Sequence, residues 1–375
     1  MSEYQYYEFL AVDRPLDEED RDSLRELSSR ARITSWSFTN SYEWGDFKGD
    51  PAALMERWFD LHLYLANWGE HRLMIRLPKR LVDRPVIEPF IRDDYPVLVR
   101  DAGENLILDI DREEVGFDWD DDDSGWLAAL APLRDDLLAG DLRPLYLLWL
   151  IGVEMDVFKD DEPEPLTGIA PLTPALEALA DFFGIDADLV EAAAERSEET
   201  DAPSPKAVRQ SIEAMADAEK TELLTRLAEG DRHVAAELRR AVRNRQGLNA
   251  EASARPARTV GELRSRAGEI RLAREREEAE RAAAERRRLA EEAEKARRAR
   301  IEAVARRGEG VWDEIETEIE RRNPSGYDMA MELLADLRLI AEERGEGENF
   351  TRRLRSIRDR HARKKRFIER LVEMG

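Results

Sequence analysis

The chain contains no cysteine. That one absence removes disulfide staples, Cys-ligated zinc, iron–sulfur clusters and thiol nucleophiles together. Histidine is nearly as scarce. His62, His71, His233 and His361 lie far apart, and none belongs to an H-E-x-x-H pair. Long apolar runs are also lacking: the richest, residues 145–153, is far short of the ~20 residues that cross a bilayer. The first nine residues are acidic and aromatic, without the basic stretch and apolar run of a signal peptide, so a cytoplasmic location is expected. P-loop, dinucleotide and G-x-S-x-G fingerprints are missing, and no nucleophile stands beside a base. An enzyme is not expected, nor is any cofactor or catalytic metal.

Charge is what the chain has in quantity. Its 375 residues hold 83 acidic and 59 basic side chains, a formal net charge of −24. That length predicts two or three domains. Arginine supplies 51 of the basic residues, a bias that fits GC-rich coding. Residues 1–165 carry 18 basic and 39 acidic side chains, whereas residues 251–375 carry 31 and 28. The acidic front repels phosphate and is no general nucleic-acid surface. A soluble or salt-adapted exterior accounts for it.

Residues 1–160 read as an α+β head. Seven of the eight tryptophans and nearly all strand-like segments fall there. Strands are expected near 4–12, 33–44, 71–77, 97–100 and 106–110, the last two joined by a hairpin turn over 101–105. Asp17 opens a short helix, and Asp50-Pro51 caps one expected to reach about Ala66. Two more are expected at 125–139 and 142–155. This order suggests a small, mostly antiparallel sheet with packed helices, a ferredoxin-like variant being one candidate. Residues 161–205 read as a linker with short helices, because 160–171 are rich in acids and prolines. Residues 206–250 read as a small helical region.

Thr259 to Glu262 spells a capping box, and residues 259–306 then continue as one long charged helix of about 70 Å. Between 273 and 288 every apolar residue is alanine, so no Leu/Ile seam is sustained. Opposite charges sit four apart instead: Glu262–Arg266, Arg271–Glu275, Arg274–Glu278, Glu277–Arg281, Arg287–Glu291, Glu294–Arg298 and Glu302–Arg306. A single stiff helix is favoured, with a weak or hetero-oligomeric coiled coil left open. Residues 311–375 form a C-terminal helical module, in which helices 327–344 and 350–374 should pack as an antiparallel hairpin.

Three stretches bear on recognition. D-W-D-D-D-D at 118–123 starts like an EF-hand loop, but Asp123 takes the glycine position and Ala129 the place of the bidentate glutamate. A solvated acidic loop is the plainer reading. The loop N-S-Y-E-W-G-D-F-K-G-D-P at 40–51 sets Tyr42, Trp44, Phe47 and Lys48 between a strand and a capped helix, where binding residues commonly gather. Residues 351–370 hold ten basic side chains against two acidic ones, with Arg358, Arg363, Lys364, Lys365 and Arg366 as candidate partner contacts. That face suits an acidic protein surface, phosphate or plain solvent.

Y-D-M-A-M-E-L-L-A-D-L-R at 327–338, with Phe350, Leu354, Ile357, His361 and H-A-R-K-K-R-F-I at 361–368, resembles the helical tail of bacterial SWIM zinc-finger proteins. The likeness covers about 50 residues; the zinc ligands of that family are absent, so it implies no metal site. W-G-D-F-K-G-D-P at 44–51 resembles the N-terminal stretch of an uncharacterised bacterial family, a likeness that implies no activity. The expectation is an adaptor without catalysis, with a protein partner, no membrane, and nucleic acid as the alternative partner of the basic helix; an enzyme of unrecognised type is the third reading.

Overall fold

The computed structural model describes residues 3–45, 47–92, 97–116, 125–196, 204–245 and 257–374. Two compact units emerge, Met1–Ala273 and Arg274–Gly375.

The first unit is built on seven strands: β1 (Gln5–Leu10), β2 (Arg32–Ile33), β3 (Ser37–Tyr42), β4 (Leu61–Ala66), β5 (His71–Pro78), β6 (Val97–Ala102) and β7 (Asn105–Arg112). They form one antiparallel sheet in the order β2-β3-β1-β4-β5-β7-β6. Period-2 patterning decides its two faces. Leu61, Leu63, Leu73, Ile75, Leu108 and Ile110 share one core, while Phe9, Phe38, Tyr64, Met74 and Ile107 share the other. The register makes these faces continuous, pairing Leu63 with Leu73 and Leu73 with Ile110. An α+β head is thus present, with seven strands where a ferredoxin-like variant has four.

Helices α1 (Glu18–Leu27), α2 (Pro51–Arg57) and α3 (Arg84–Ile87) follow individual strands. The helix expected to run to Ala66 stops at Arg57, because Leu61–Ala66 is claimed by hydrogen bonding to β1 and β5 on both sides. Asp60 fixes the switch. Its buried carboxylate accepts from the backbone N–H of Val12 and Asp13 and from Arg76. The strand expected over 33–44 is a hairpin instead, since Thr34 Oγ1 accepts from Trp36 N and Ser37 N and turns the chain. Pro132 divides the next helix into α4 (Trp126–Leu130) and α5 (Pro132–Leu138). Then α6 (Arg143–Glu154) is buried all round, carrying Trp149 and Tyr146 into the centre of the core.

Residues 161–205, expected as a linker, contain α7 (Pro174–Phe182) and α8 (Ala187–Ala194). Their Leu176, Leu179, Phe182 and Leu189 belong to the same core as the sheet. Gly168 lies so close to α8 that an added Cβ would fall 1.2 Å from the Arg196 carbonyl oxygen. Residues 206–250 carry α9 (Pro205–Glu213), α10 (Asp217–Ala228) and α11 (Val234–Arg245). They dock through charge and through Ala236 of α11, which joins the head core: Arg80 reaches Asp231 and Glu237, and His233 Nε2 lies 3.0 Å from Asp13. Asp13 also receives both guanidinium nitrogens of Arg134. Burial pushes the Asp13 carboxyl up, but the hydrogen bonds from His233 and Arg134 outweigh it and leave the group well below the usual range.

The long helix is α12 (Val260–Arg307), 48 residues or about 72 Å long. Its capping box forms as spelled, with Thr259 Oγ1 accepting from Glu262 N and Glu262 accepting from Thr259 N. Val260, Leu263, Ala267 and Ile270 complete the head core. Residues 274–299 are exposed apart from half-buried Ala283. Of the expected pairs, Glu277–Arg281, Glu294–Arg298 and Glu302–Arg306 form, whereas Arg266 turns to Glu195 and Arg271 to Asp186 and Asp188. Among the described residues, no helix is long and apolar enough to cross a membrane.

In the second unit, the end of α12 joins α13 (Gly310–Glu320), α14 (Pro324–Arg344), α15 (Gly347–Arg360) and α16 (Lys365–Met374) around Ile315, Ile319, Leu334, Ile357 and Phe367. The second helix of the expected hairpin is broken in two. His361, buried against Glu316, ends α15, and its carbonyl accepts from Lys364 N to close a turn before α16. The break lets Phe367 enter the core fully.

Candidate functional site: a basic groove in the C-terminal unit

The turn between α15 and α16 and the turn between α13 and α14 lie side by side. Between them is an open groove of about 780 Å³. Arg363, Lys364, Lys365 and Arg366 line one wall, continued by Glu369 and Arg370; Arg322, Pro324 and Tyr327 line the other. Sequence reading finds the first wall as a basic run. It misses Arg322 and Tyr327, although R-R-N-P at 321–324 signals a turn that displays arginine.

The six cations are not equivalent. Lys364 Nζ lies 2.7 Å from Glu320 and also donates to the Ile319 carbonyl. That hydrogen bond from Lys364 holds the Glu320 carboxyl below the usual range. Arg370 is held by Asp328 and donates to the Pro324 carbonyl, and Arg322 lies 3.8 Å from Glu320. Arg363, Lys365 and Arg366 are exposed, and among the described residues no carboxylate pairs with them. Arg322 sits at φ +55°, a left-handed conformation that is uncommon outside glycine. The ring of Tyr327 is 8% exposed and that of Phe367 is fully buried, so neither offers a face to a stacked base.

Arg358 lies on the exposed side of α15 and does not line the groove. The aromatic loop of the head divides in the same manner. Tyr42 meets Tyr7 edge-on at 5.9 Å, and its hydroxyl accepts a 2.7 Å hydrogen bond from Asn40 Nδ2. Phe47 folds back onto Tyr7 and Phe38; Gly49 makes this fit, since a Cβ there would meet the Phe47 ring at 2.6 Å. Trp44 remains 73% exposed, with Lys48 exposed nearby in the chain. The expected platform therefore reduces to one projecting indole.

The acidic run 118–123 lies outside the described residues. Among those that are described, no group of three or more His, Asp or Glu side chains could hold a metal ion. Comparison of the chain with protein-family models, curated proteins and solved structures finds no match.

Proposed function

We propose that the protein is a non-enzymatic adaptor, which joins one protein partner at its acidic head to another at the basic groove through the charged helix α12. The observation that carries this reading is the trio Arg363, Lys365 and Arg366, three cations along one groove that no carboxylate pairs with among the described residues. Elsewhere in the chain arginines are widely engaged by acids, as Arg76, Arg134, Arg226 and Arg258 are. The exposed charged stretch of α12 supports the reading as well. A helix polar all round suits a solvated connection better than a coiled-coil seam. Leu289, the largest apolar side chain within it, is 52% exposed.

A nucleic-acid-associated role is the second reading. It draws on Arg352, Arg355 and Arg358, which lie exposed at three-residue spacing on α15. Cross-linking separates the two. With only eight lysines in the chain, a lysine-reactive reagent acting on the full-length protein in its host reports from Lys48 in the head and from Lys364 and Lys365 in the groove. Different proteins should be captured at the two places, and nuclease should change neither. Loss of the groove-linked proteins on nuclease treatment would overturn the adaptor reading in favour of the second.

A further inference from the structure

We infer that the groove of the C-terminal unit takes a short acidic polypeptide segment, carrying three or more carboxylates within about six extended residues, ~20 Å of chain. The inference rests on the adaptor reading and names the chemistry of one partner.

Three observations lead to it. First, the cations divide by role. Lys364 and Arg370 are tethered by Glu320 and Asp328, so their charge is largely spent within the unit and they shape the walls. Arg363, Lys365 and Arg366 keep their charge for a ligand. A trio spread along one wall matches several carboxylates in series, each donor making a charge-assisted hydrogen bond. Second, the size is wrong for a single small anion. The groove is open and about 780 Å³ in volume, lined by six cations, so one phosphate would reach only some of them. Third, the surroundings lack what an unpaired nucleic-acid strand needs. Sequence-tolerant strand binding combines a basic track with aromatic faces, and the two rings nearest this track are buried.

The test uses the full chain and a fluorescein-labelled hexa-aspartate peptide. Parallel arms use the hexa-asparagine peptide, a single-stranded oligonucleotide of equal charge, and millimolar inorganic phosphate as competitor. The aspartate peptide should bind in a salt-sensitive manner and the asparagine peptide should not. Arg363→Gln/Lys365→Gln/Arg366→Gln should weaken binding at least tenfold, with circular dichroism confirming that the helices persist. Glu320→Gln releases Lys364 and should tighten binding a few-fold, an effect that damage to the fold would not produce. Equal binding of the asparagine peptide, tighter binding of the oligonucleotide, full displacement by phosphate, or a folded triple variant that binds as before would each overturn the inference. The cross-linking at Lys48 and Lys364 is scored independently, so the adaptor reading can stand when the peptide chemistry fails.

Discussion

Arg258 and Glu164, ninety-four residues apart in the chain, form a buried ion pair at 3.1 Å. Their backbones are joined too, Glu164 N donating to the Arg258 carbonyl at 2.8 Å. Tyr146 on α6 donates to the same carboxylate, and Arg258 donates onward to the Ala192 carbonyl at the end of α8. Burial, with Glu164 beside it, pushes the Tyr146 hydroxyl well above its usual value and keeps it protonated as a donor. This ion pair thus fastens the start of α12 to two helices of the head, the carboxylate to α6 and the guanidinium to α8.

The first prediction concerns that fastening. Removing one member leaves the other charge buried without its partner, which costs about 3–5 kcal/mol. Glu164→Ala and Arg258→Ala should each lower the urea midpoint of the head transition strongly. The double replacement Glu164→Leu/Arg258→Met should cost less than either, because no orphan charge remains. Losses that add in the Glu164→Ala/Arg258→Ala double variant would mean the two residues act independently.

The second concerns acid. His62 is fully buried, stacked on Phe9 at 3.9 Å, and its Nδ1–H donates to the Glu8 carbonyl. Burial pulls its pKa down to about 3. In the native state the ring therefore stays neutral, while the unfolded chain protonates it near the ordinary value of about 6.5. Stability from this neutral ring is present above that value and is lost as pH falls toward 3, by up to about 1.4 kcal/mol per pH unit. His62→Leu should flatten the slope of stability against pH by close to one proton between pH 5.5 and 4. An unchanged slope would show that the ring titrates normally in the native state.

Much of the architecture is legible in the sequence where a local signal and a tertiary demand agree. The capping box at Thr259 and Glu262, the turn at Gly103, and the apolar strand pattern of β5 are such places. Disagreement comes where long-range pairing overrules a local signal. Asp50-Pro51 starts a helix correctly, but nothing local says that Leu61–Ala66 will be taken up by two neighbouring strands. The acids and prolines of 160–171 read as solvated until Arg258 supplies a buried partner for Glu164. The groove is half legible for the same reason. Its basic wall is contiguous, whereas Arg322 arrives from a turn some forty residues earlier.

The third prediction concerns α12. Residues 274–299 are exposed apart from half-buried Ala283, and ion pairs such as Glu294–Arg298 at 2.8 Å stand where a seam would be. Each exposed pair adds only about 0.2–0.5 kcal/mol and is screened by salt. The full chain should sediment as a monomer at micromolar concentration, and a peptide of residues 274–299 should lose helicity as salt is raised. A tight dimer would require a seam that these residues do not present.

The last prediction sets stability against binding at one residue. Arg322 closes α13 in the left-handed region, at φ +55°, where a side chain costs roughly 1–2 kcal/mol relative to glycine. Glycine is the usual residue at that place after a helix end. Arg322→Gly should therefore raise the stability of the C-terminal unit by about 1 kcal/mol. The same change removes a cation from the groove wall, so affinity for the aspartate peptide should fall two- to fivefold. The two effects run in opposite directions, which separates a binding role from damage to the fold. Arg322→Ala is the control, because alanine keeps the backbone strain and loses the charge: it should bind as weakly as the glycine variant without becoming more stable. If glycine leaves peptide affinity untouched, Arg322 lies outside the working part of the groove. If both variants unfold at the same denaturant concentration as the parent chain, the left-handed conformation carries no cost here.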